Sequence, residues 1–280
     1  MKRHIYIIAE IGINHNGDVA LAKELVDVAS ETGCDAVKFQ KREPDICVPE
    51  EQKLLLRETP WGTMTYLDYK KRIEFGEAEY DEIDRYCMSK GIDWSASAWD
   101  LPSQKFIQKY KRAFNKIASA MITNLELLNE VANEGLLTYI STGMSTLDQI
   151  DTAVDIFRSK GTPFEIMHSV STYPARDEDL NLRVIQTLRN RYNVPVGYSG
   201  HEPTVSPSIV AAALGASVIE RHITTSRSNW GTDQAASLEP AGLRYLVGAV
   251  RKVPTILGDG VKRVLPEEEL IAKKLRTHLT

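Results

Sequence analysis

The chain has 280 residues, of which 42% are hydrophobic and 26% are charged, and its formal net charge is −4 at pH 7. This length is enough for a large core in one or two domains, and the composition is that of an ordinary globular protein. The negative charge argues against a general nucleic-acid binder, and no apolar run approaches the length of a membrane span. Three cysteines, Cys34, Cys47 and Cys87, lack paired spacing, which indicates reduced thiols and predicts a cytoplasmic protein.

Eight short runs rich in β-branched and aromatic residues predict strands, at 6–12, 36–40, 94–98, 114–119, 138–143, 164–169, 194–200 and 218–224. Between them lie helical patterns such as DVALAKELVDVASETG and EAEYDEIDRYCMSKG, with apolar residues every three or four positions. This alternation indicates a parallel sheet with right-handed crossovers, and eight units predict a single-domain (β/α)8 TIM barrel of the α/β class. An open doubly wound sheet is the alternative, weakened because no GxGxxG follows the first strand.

The connection between the second and third predicted strands is too long for one crossover helix. It contains PEEQKLLLRE and TYLDYKKRIEF, which both predict helical pieces. We therefore expect a helical insertion at about 41–78, which is either a lid or rim over the substrate face or a neutral surface elaboration. The barrel domain is predicted to span 1–262. PEEELIAKKLRTHL predicts a polar helical tail over 263–280, on the surface or at a subunit contact.

Polar side chains recur at the carboxyl ends of the predicted strands, where barrel enzymes place catalytic groups. Lys38 and Lys116 supply two positive charges, and several serines stand near glycines that allow close backbone approach. Together they predict a site for a phosphate and a carboxylate on one small molecule. The serines of this site are Ser119, Ser141 and Ser199.

The strand VIERHIT, residues 218–224, places Glu220 and His222 on one face and Ile219 on the other. His222 and His201 end adjacent strands, and such a pair suits a divalent ion such as Mn²⁺, Fe²⁺ or Zn²⁺. Glu10 on the first strand adjoins the last strand of a closed barrel, so it would complete the metal shell directly or through water. The polar face of VIERHIT is therefore predicted to point into the barrel mouth, whereas His168, without a recognisable partner, is interpreted as structural.

The motifs AEIGINHNG, AVKFQ, KIAS, STGM, YP, GYSGH, ERHIT and GTD occur in this order and resemble those of the sialic acid synthases. That family includes the N-acetylneuraminate, legionaminate and pseudaminate synthases, and the resemblance spans nearly the whole chain. It implies an enzyme that condenses phosphoenolpyruvate with an aldose, an N-acyl amino sugar, to a 3-deoxy-2-ulosonic acid and phosphate. It also implies a homodimer and Mn²⁺, with Mg²⁺, Fe²⁺, Co²⁺ and Zn²⁺ as alternatives.

The resemblance assigns roles to individual residues. Catalysis falls to Glu10, Lys38 and Lys116, and the metal ligands are His201 and His222. Phosphoenolpyruvate binding is assigned to Lys38, Lys116, Ser119, Ser141, Ser171 and Ser199. Sugar binding is assigned to Gln40, Ser97, Tyr173 and Asp233.

Three positions depart from the family pattern. Met121 stands where the family has an acidic residue two places after the serine of KI-S, and Ser171 replaces an asparagine that helps to hold phosphoenolpyruvate. The sequence stops at Thr280, before the linker and antifreeze-like domain of sialic acid synthases, so the acceptor aldose stays open. We expect the synthase reaction despite Met121, with another group or bound phosphate handling the proton.

Two other functions are compatible with part of the pattern. A Schiff-base aldolase would use two inward lysines, but it would leave the histidine pair without a role. A non-catalytic barrel that binds a sugar phosphate would explain Met121 and the missing domain, but not the retained histidines and Glu10.

Overall fold

The computed structural model describes residues 4–279, which form ten strands and eleven α-helices. Eight parallel strands close into a barrel in the order β1-β10-β9-β8-β7-β6-β5-β2, and β3 pairs with β4 as a separate antiparallel hairpin. The (β/α)8 barrel predicted from the sequence is thus confirmed. The strands are β1 (Tyr6–Gly12), β2 (Ala36–Lys41), β3 (Leu56–Thr59), β4 (Gly62–Thr65), β5 (Asp93–Ala98), β6 (Asn115–Ile117), β7 (Thr138–Ser141), β8 (Phe164–Ser169), β9 (Val196–Gly200) and β10 (Val218–His222).

The helices alternate with the barrel strands and cover them from outside. Several begin and end as their sequences predict: Asp18 caps the first helix by accepting from the Ala20 and Leu21 amides, and Gly33 ends it with φ at 84°. The helices are α1 (Val19–Thr32), α2 (Pro44–Cys47), α3 (Tyr66–Ile73), α4 (Glu77–Lys90), α5 (Leu101–Ile107), α6 (Leu125–Asn133), α7 (Leu147–Lys160), α8 (Val184–Tyr192), α9 (Ser206–Ala213), α10 (Pro240–Leu257) and α11 (Pro266–Leu275).

Alternation along the strands separates two buried regions. Outward residues such as Ile7 and Ile219 belong to the apolar layer between barrel and helices. Inward residues near the amino ends, such as Ile8 and Val218, fill the lower barrel with Phe114 and others. Because side chains alternate with a period of two, the inward positions one step further along the same strands carry polar groups instead. The inward apolar residues therefore form a layer beneath the polar one.

The segment predicted as a helical insertion contains less helix than expected. Within it lie α2, a 3₁₀ turn at Glu50–Gln52, the β3–β4 hairpin and α3. The helix prediction for PEEQKLLLRE is wrong at its end, because Leu56–Thr59 is a strand. Gly62, with φ at 100°, takes up a backbone conformation that other residues avoid and lets the chain reverse into β4.

The last helix packs little of its surface against the barrel. None of the residues of α11 is buried, and Leu270 and Leu275 are both exposed. Within residues 4–279, no helix combines the length and the apolarity needed to cross a membrane.

Candidate active site

A cavity of about 240 Å³ opens at the carboxyl ends of the barrel strands. Strand register places its polar side chains at one level, since Glu10 lies opposite both His222 and Lys38, and Ser97 opposite Lys116. The cavity is lined by Glu10, Lys38, Gln40, Ser97, Trp99, Lys116, Ala118, Ser119, Ala120, Ser141, Met144, Ser169, Ser171, Tyr173, Ser199, His201, Glu220 and His222. All predicted site residues except Asp233 are in this wall.

Two buried lysines and two buried carboxylates form the floor of the cavity. Lys38 Nζ lies 2.6 Å from Glu10 Oε2 and donates to Ser97 Oγ at 2.9 Å. Lys116 Nζ donates to Glu220 Oε1 at 2.9 Å, and Lys38 Nζ lies 3.8 Å from the same oxygen. Each of these four charged side chains is at most 5% exposed. Opposite charges therefore hold one another inside the barrel without contact with bulk water.

These neighbours determine how the buried groups ionise. Burial opposes ionisation of Glu220, but the ammonium groups of Lys116 and Lys38 outweigh it and lower the pKa of Glu220 to about 2. Burial also opposes the charge on Lys38, yet the carboxylates of Glu10 and Glu220 raise the pKa of this lysine. For Lys116, burial prevails over Glu220 and lowers the pKa. The lysine nearest Glu10 thus keeps its positive charge.

His201 has a defined tautomer. Its Nδ1–H donates to the Val170 carbonyl at 2.6 Å, so Nε2 carries the lone pair and accepts from Tyr173 Oη at 2.9 Å. Burial, together with the neighbouring His222, lowers the pKa of His201 to about 3. The ring is therefore a neutral imidazole, the form in which histidine binds metals.

The second imidazole is close to the first and has an open polar atom. The ring centroids of His201 and His222 are 5.6 Å apart, and His222 Nδ1 is buried without a hydrogen-bond partner. Glu10, in register with His222, adds a carboxylate. Two imidazoles and a carboxylate form a donor set that suits Mn²⁺, Fe²⁺ or Zn²⁺, so these residues fit a divalent ion. Among residues 4–279, no group of three or more potential ligands is already arranged around one point.

The opposite wall of the cavity is rich in hydroxyl groups. Ser119 Oγ accepts from the Gly143 amide at 3.0 Å, and a Cβ added at Gly143 would lie 2.8 Å from this oxygen and closer still to Ser171 Oγ. The Oγ atoms of Ser141 and Ser169 are buried without hydrogen-bond partners. A glycine is thus required where the loop passes between two serines, and a ligand with several acceptor oxygens would satisfy the open hydroxyls.

Gln40 and Tyr173 lie at the entrance to the cavity. Gln40 Nε2 donates to Glu10 Oε1 at 3.2 Å, and the side chain is half-buried. Tyr173 is 46% exposed and packs its ring 4.1 Å from that of His201, measured between centroids. Asp233 is set back from the cavity, with Oδ2 3.9 Å from His222 Nδ1. Asp233 therefore adjoins His222 without a hydrogen bond and does not line this cavity.

Six residues of the wall were not assigned to the site from the sequence, and Glu220 and Ser169 are two polar ones among them. Glu220 shares the polar face of VIERHIT with His222, a signal that could have placed it beside the lysines. Ser169 ends β8 at the same level as Ser199 in β9.

Met121 does not line the cavity but packs against the apolar layer, and Ala120 faces the cavity. His168 donates to the Leu180 carbonyl at 2.7 Å, which fits its structural interpretation.

A closed (β/α)8 barrel that gathers buried charged side chains and an imidazole pair at the carboxyl ends of its strands is typical of barrel enzymes. The model of the NeuB family matches residues 25–262, and the chain belongs to the NeuB family. The predicted resemblance to sialic acid synthases is thereby confirmed. NeuB enzymes form carbon–carbon bonds from phosphoenolpyruvate and sugars, so the prediction of such an enzyme is confirmed as well.

Individual relatives cover most of the chain. It is 37% identical over 273 residues to human N-acetylneuraminate-9-phosphate synthase, covering 96% of this chain and 76% of the relative. It is 35% identical to N,N'-diacetyllegionaminic acid synthase of Legionella pneumophila, covering 98% and 79%. The crystal structure of N-acetylneuraminic acid synthetase from Leptospira borgpetersenii in complex with citrate superimposes with a TM-score of 0.87 at 33% identity, covering 99% and 93%.

Proposed function

We propose that this chain condenses phosphoenolpyruvate with an N-acyl amino-sugar aldose to a 3-deoxy-2-ulosonic acid, with release of phosphate. The observation that carries the proposal is the floor of Lys38, Lys116, Glu10 and Glu220, set between open serine hydroxyls and the His201–His222 pair. Sialic and legionaminic acid synthases among the relatives support the same reaction. Their names include both a phosphorylated and an unphosphorylated product, so they leave the acceptor open.

The chain's own residues supply binding, alignment and charge. In this reaction C3 of phosphoenolpyruvate bonds to the aldehyde carbon, water adds at C2, and the C2–O bond breaks so that the bridging oxygen leaves with phosphate. Lys38 and Lys116 neutralise the carboxylate and phosphate, and the serines hold the phosphate oxygens. Holding both reactants in line removes on the order of 7–11 kcal/mol of the barrier for ideal alignment.

Proton transfer has a candidate in this cavity although Met121 cannot take part. A thioether is only a weak acceptor and lies outside the cavity wall. Glu10 is buried, and burial raises its pKa above the ordinary value against the attraction of Lys38. It therefore combines a position next to the imidazole pair with a carboxyl able to exchange a proton with the aldehyde-derived oxygen.

NeuB-family synthases depend on a metal, and the residues that would hold it here are His201 and His222, with Glu10 beside them. When bound, a divalent ion would supply Lewis-acid polarisation of a substrate oxygen. We expect Mn²⁺ to serve, because the donor set is nitrogen with oxygen. Homodimerisation and a cytoplasmic location remain expectations from the sequence.

Phosphate release tests the reaction. A panel of N-acyl amino-sugar and simple aldoses, incubated with phosphoenolpyruvate and Mn²⁺, should yield one equivalent of phosphate per ulosonic acid with at least one aldose. Tight binding of phosphoenolpyruvate and metal without phosphate release for any aldose would instead favour the non-catalytic sugar-phosphate barrel.

Isotope labelling tests which bond breaks. Phosphoenolpyruvate labelled at the bridging oxygen should give labelled phosphate, and label retained in the ulosonic acid would mean attack at phosphorus. Borohydride should trap no pyruvate adduct on Lys38 or Lys116. A trapped adduct would overturn the proposal in favour of a Schiff-base aldolase.

A further inference from the structure

The side-chain amide of Gln40 lies between a cation and an acid at the entrance to the cavity. Its Oε1 accepts a hydrogen bond from Arg42 Nη2, and its Nε2 donates to Glu10 Oε1 at 3.2 Å. A guanidinium group can only donate, so its partner must be the carbonyl oxygen of the amide. Arg42 therefore decides which end of the Gln40 amide faces Glu10, and that end is the NH₂ group.

Arg42 is itself held in place by contacts outside the cavity. Its guanidinium carbon lies 3.9 Å from the centroid of the Trp99 ring. Its backbone amide donates to Glu74 Oε1 at 3.0 Å, and the same oxygen accepts from Lys41 Nζ at 3.0 Å. Because Glu74 directly follows α3, the far end of the insertion fixes the backbone that carries Arg42. The side chain is thus positioned before any ligand binds.

The Arg42 guanidinium group is not neutralised by an acid. Within residues 4–279, none of its nitrogen atoms lies within 4.0 Å of a carboxylate oxygen, and the adjacent Glu74 bonds its backbone amide instead. Its Nε is also buried without a hydrogen-bond partner. The hydrogen bond from Nη2 to the Gln40 oxygen is charge-assisted, a type roughly twice as strong as a bond between neutral groups. This bond therefore dominates the orientation of the amide.

Glu10 is held at both oxygen atoms of its carboxyl group. Lys38 Nζ lies 2.6 Å from Oε2, and Gln40 supplies the hydrogen bond to Oε1. The backbone passes close to this contact at Gly12. A Cβ added there would lie 3.2 Å from Gln40 Nε2 and from Glu10 Oε1, and 3.3 Å from His222 Cε1. Gln40, Glu10 and His222 therefore converge on one point, so a change in the Gln40 amide reaches Glu10 directly.

We propose that Arg42 is a positioning residue of the active site, which acts through Gln40 on Glu10. By holding the carbonyl oxygen of the Gln40 amide, it keeps the NH₂ group on Glu10 and the carboxyl group of Glu10 beside the His201–His222 pair. Without Arg42 the amide is free to turn, and its carbonyl oxygen would repel a carboxylate oxygen of Glu10. The effect on turnover rests on the proposed function, because Glu10 is the proton-exchanging group of that reaction.

A double-mutant cycle tests whether Arg42 acts through Gln40. Steady-state kinetics uses phosphoenolpyruvate, Mn²⁺ and an aldose that gives phosphate release with the unmodified protein. Arg42→Met should lower kcat by about 10- to 100-fold and leave KM for phosphoenolpyruvate within about 3-fold, because it disturbs a group that acts in the reaction and not phosphoenolpyruvate binding. In a Gln40→Met background the same change should lower kcat by less than about 2-fold, because the amide that Arg42 orients is gone. Additive losses in kcat would refute the proposal.

A matched control separates this role from a general effect on the insertion. Arg72 is on α3 and stacks on the Trp61 ring, 4.7 Å from its centroid, much as Arg42 stacks on Trp99. Arg72 does not line the catalytic cavity. Arg72→Met should keep kcat, and Arg42→Lys, which retains a cationic donor, should recover most of the loss. A loss in Arg72→Met equal to that in Arg42→Met would overturn the proposal.

Calorimetry with Mn²⁺ alone tests the same chain of contacts without turnover. Displacement of Glu10 from the histidine pair in Arg42→Met should weaken Mn²⁺ binding by about 10-fold, as the loss of a hydrogen bond behind a metal site does. The direction is diagnostic, because removal of a nearby positive charge would by itself strengthen the binding of a cation. Weaker binding in Arg42→Met but not in Arg72→Met supports the proposal even if no aldose releases phosphate, in which case only the proposed reaction fails. Unchanged or tighter binding in Arg42→Met, or no Mn²⁺ binding by the unmodified protein, contradicts it.

Discussion

Lys116 on β6 and Glu220 on β10 extend toward each other from opposite strands of the barrel, and their Nζ and Oε1 atoms are 2.9 Å apart. Both side chains are at most 5% exposed. The same Glu220 oxygen accepts from Ser199 Oγ at 3.1 Å and faces Lys38 at 3.8 Å. Glu220 therefore balances the Lys116 ammonium, and it adds to the attraction that Glu10 exerts on Lys38 at 2.6 Å. In the proposed reaction the substrate would bring further negative charge to the lysines, so we expect Glu220 to hold them in place between turnovers.

Glu220→Gln should destabilise the free enzyme by about 3–5 kcal/mol, because it leaves the buried Lys116 ammonium without a carboxylate partner. Saturating phosphoenolpyruvate should stabilise this variant more than it stabilises the unmodified protein, since the ligand's anionic groups replace the lost charge. Chemical unfolding with and without phosphoenolpyruvate measures both effects.

Glu202→Gln is the matched control for Glu220. Glu202 is fully buried and pairs with Arg221 at 3.0 Å, outside the catalytic cavity. Its loss should lower stability to a similar extent without increasing the stabilisation by phosphoenolpyruvate. Equal ligand effects in the two variants would contradict the counter-ion role of Glu220.

His201→Ala and His222→Ala should each weaken Mn²⁺ binding by about 100-fold or more, because each removes one of two imidazoles from the donor set. Calorimetry with Mn²⁺ alone measures this without requiring turnover. His168→Gln removes a buried histidine that only bonds the Leu180 carbonyl, and it should leave Mn²⁺ affinity intact. Full synthase activity in a rigorously metal-free preparation would contradict the metal assignment.

The barrel was predictable because its signals are local and repeated. Short runs rich in β-branched and aromatic residues, such as YIIAEIG and FEIMHS, predict strands, and the corresponding β1 and β8 have the predicted bounds. The helix from DVALAKELVDVASETG begins after Asp18 and ends before Gly33, as its capping residues indicate. Because all parallel strands of the barrel end at the same face, the topology places Lys38, Lys116 and the two histidines in one cavity.

The insertion and the role of Glu220 depend on contacts distant in sequence. LLLRE favours a helix as well as a strand, and only pairing across Gly62 turns Leu56–Thr59 into a hairpin strand. Glu220 stands on a strand face that usually indicates solvent, and its partner Lys116 is 104 positions away. No pattern around Lys116 shows which carboxylate balances it.

Stability should fall in acid through His15, which stacks on Phe75 at a centroid distance of 3.9 Å. Burial lowers the pKa of His15 to about 3, against weaker opposing effects of the Gly12 backbone and Asp18. In the unfolded chain His15 binds a proton below its ordinary pKa of about 6.5, whereas in the folded chain it stays neutral down to about pH 3. The contribution of His15 to the free energy of unfolding is thus complete above pH 6.5. It decreases by up to about 1.4 kcal/mol per pH unit as the pH falls below that value.

The Gly17 amide donates to His15 Nδ1 at 3.1 Å. The variant His15→Asn keeps an acceptor for this amide, and it removes the titrating imidazole. The difference in unfolding free energy between the unmodified protein and this variant should narrow from pH 7 to pH 4. An NMR titration should show the His15 imidazole neutral at pH 4. A difference that is constant across this range, or protonation of His15 near pH 6.5, would contradict the prediction.

Gly143→Ala should reduce kcat/KM for phosphoenolpyruvate by about 10- to 100-fold, since the added methyl group would displace the hydroxyls of Ser119 and Ser171 from the cavity wall. Gly248→Ala is the matched control: Gly248 lies in α10 with no atom within 4 Å of an added Cβ, and alanine favours a helix. That variant should keep full activity and gain about 0.5–1 kcal/mol of stability. Steady-state kinetics and thermal unfolding of both variants provide the comparison. Unchanged phosphoenolpyruvate kinetics in Gly143→Ala would mean that the serine wall does not hold this substrate.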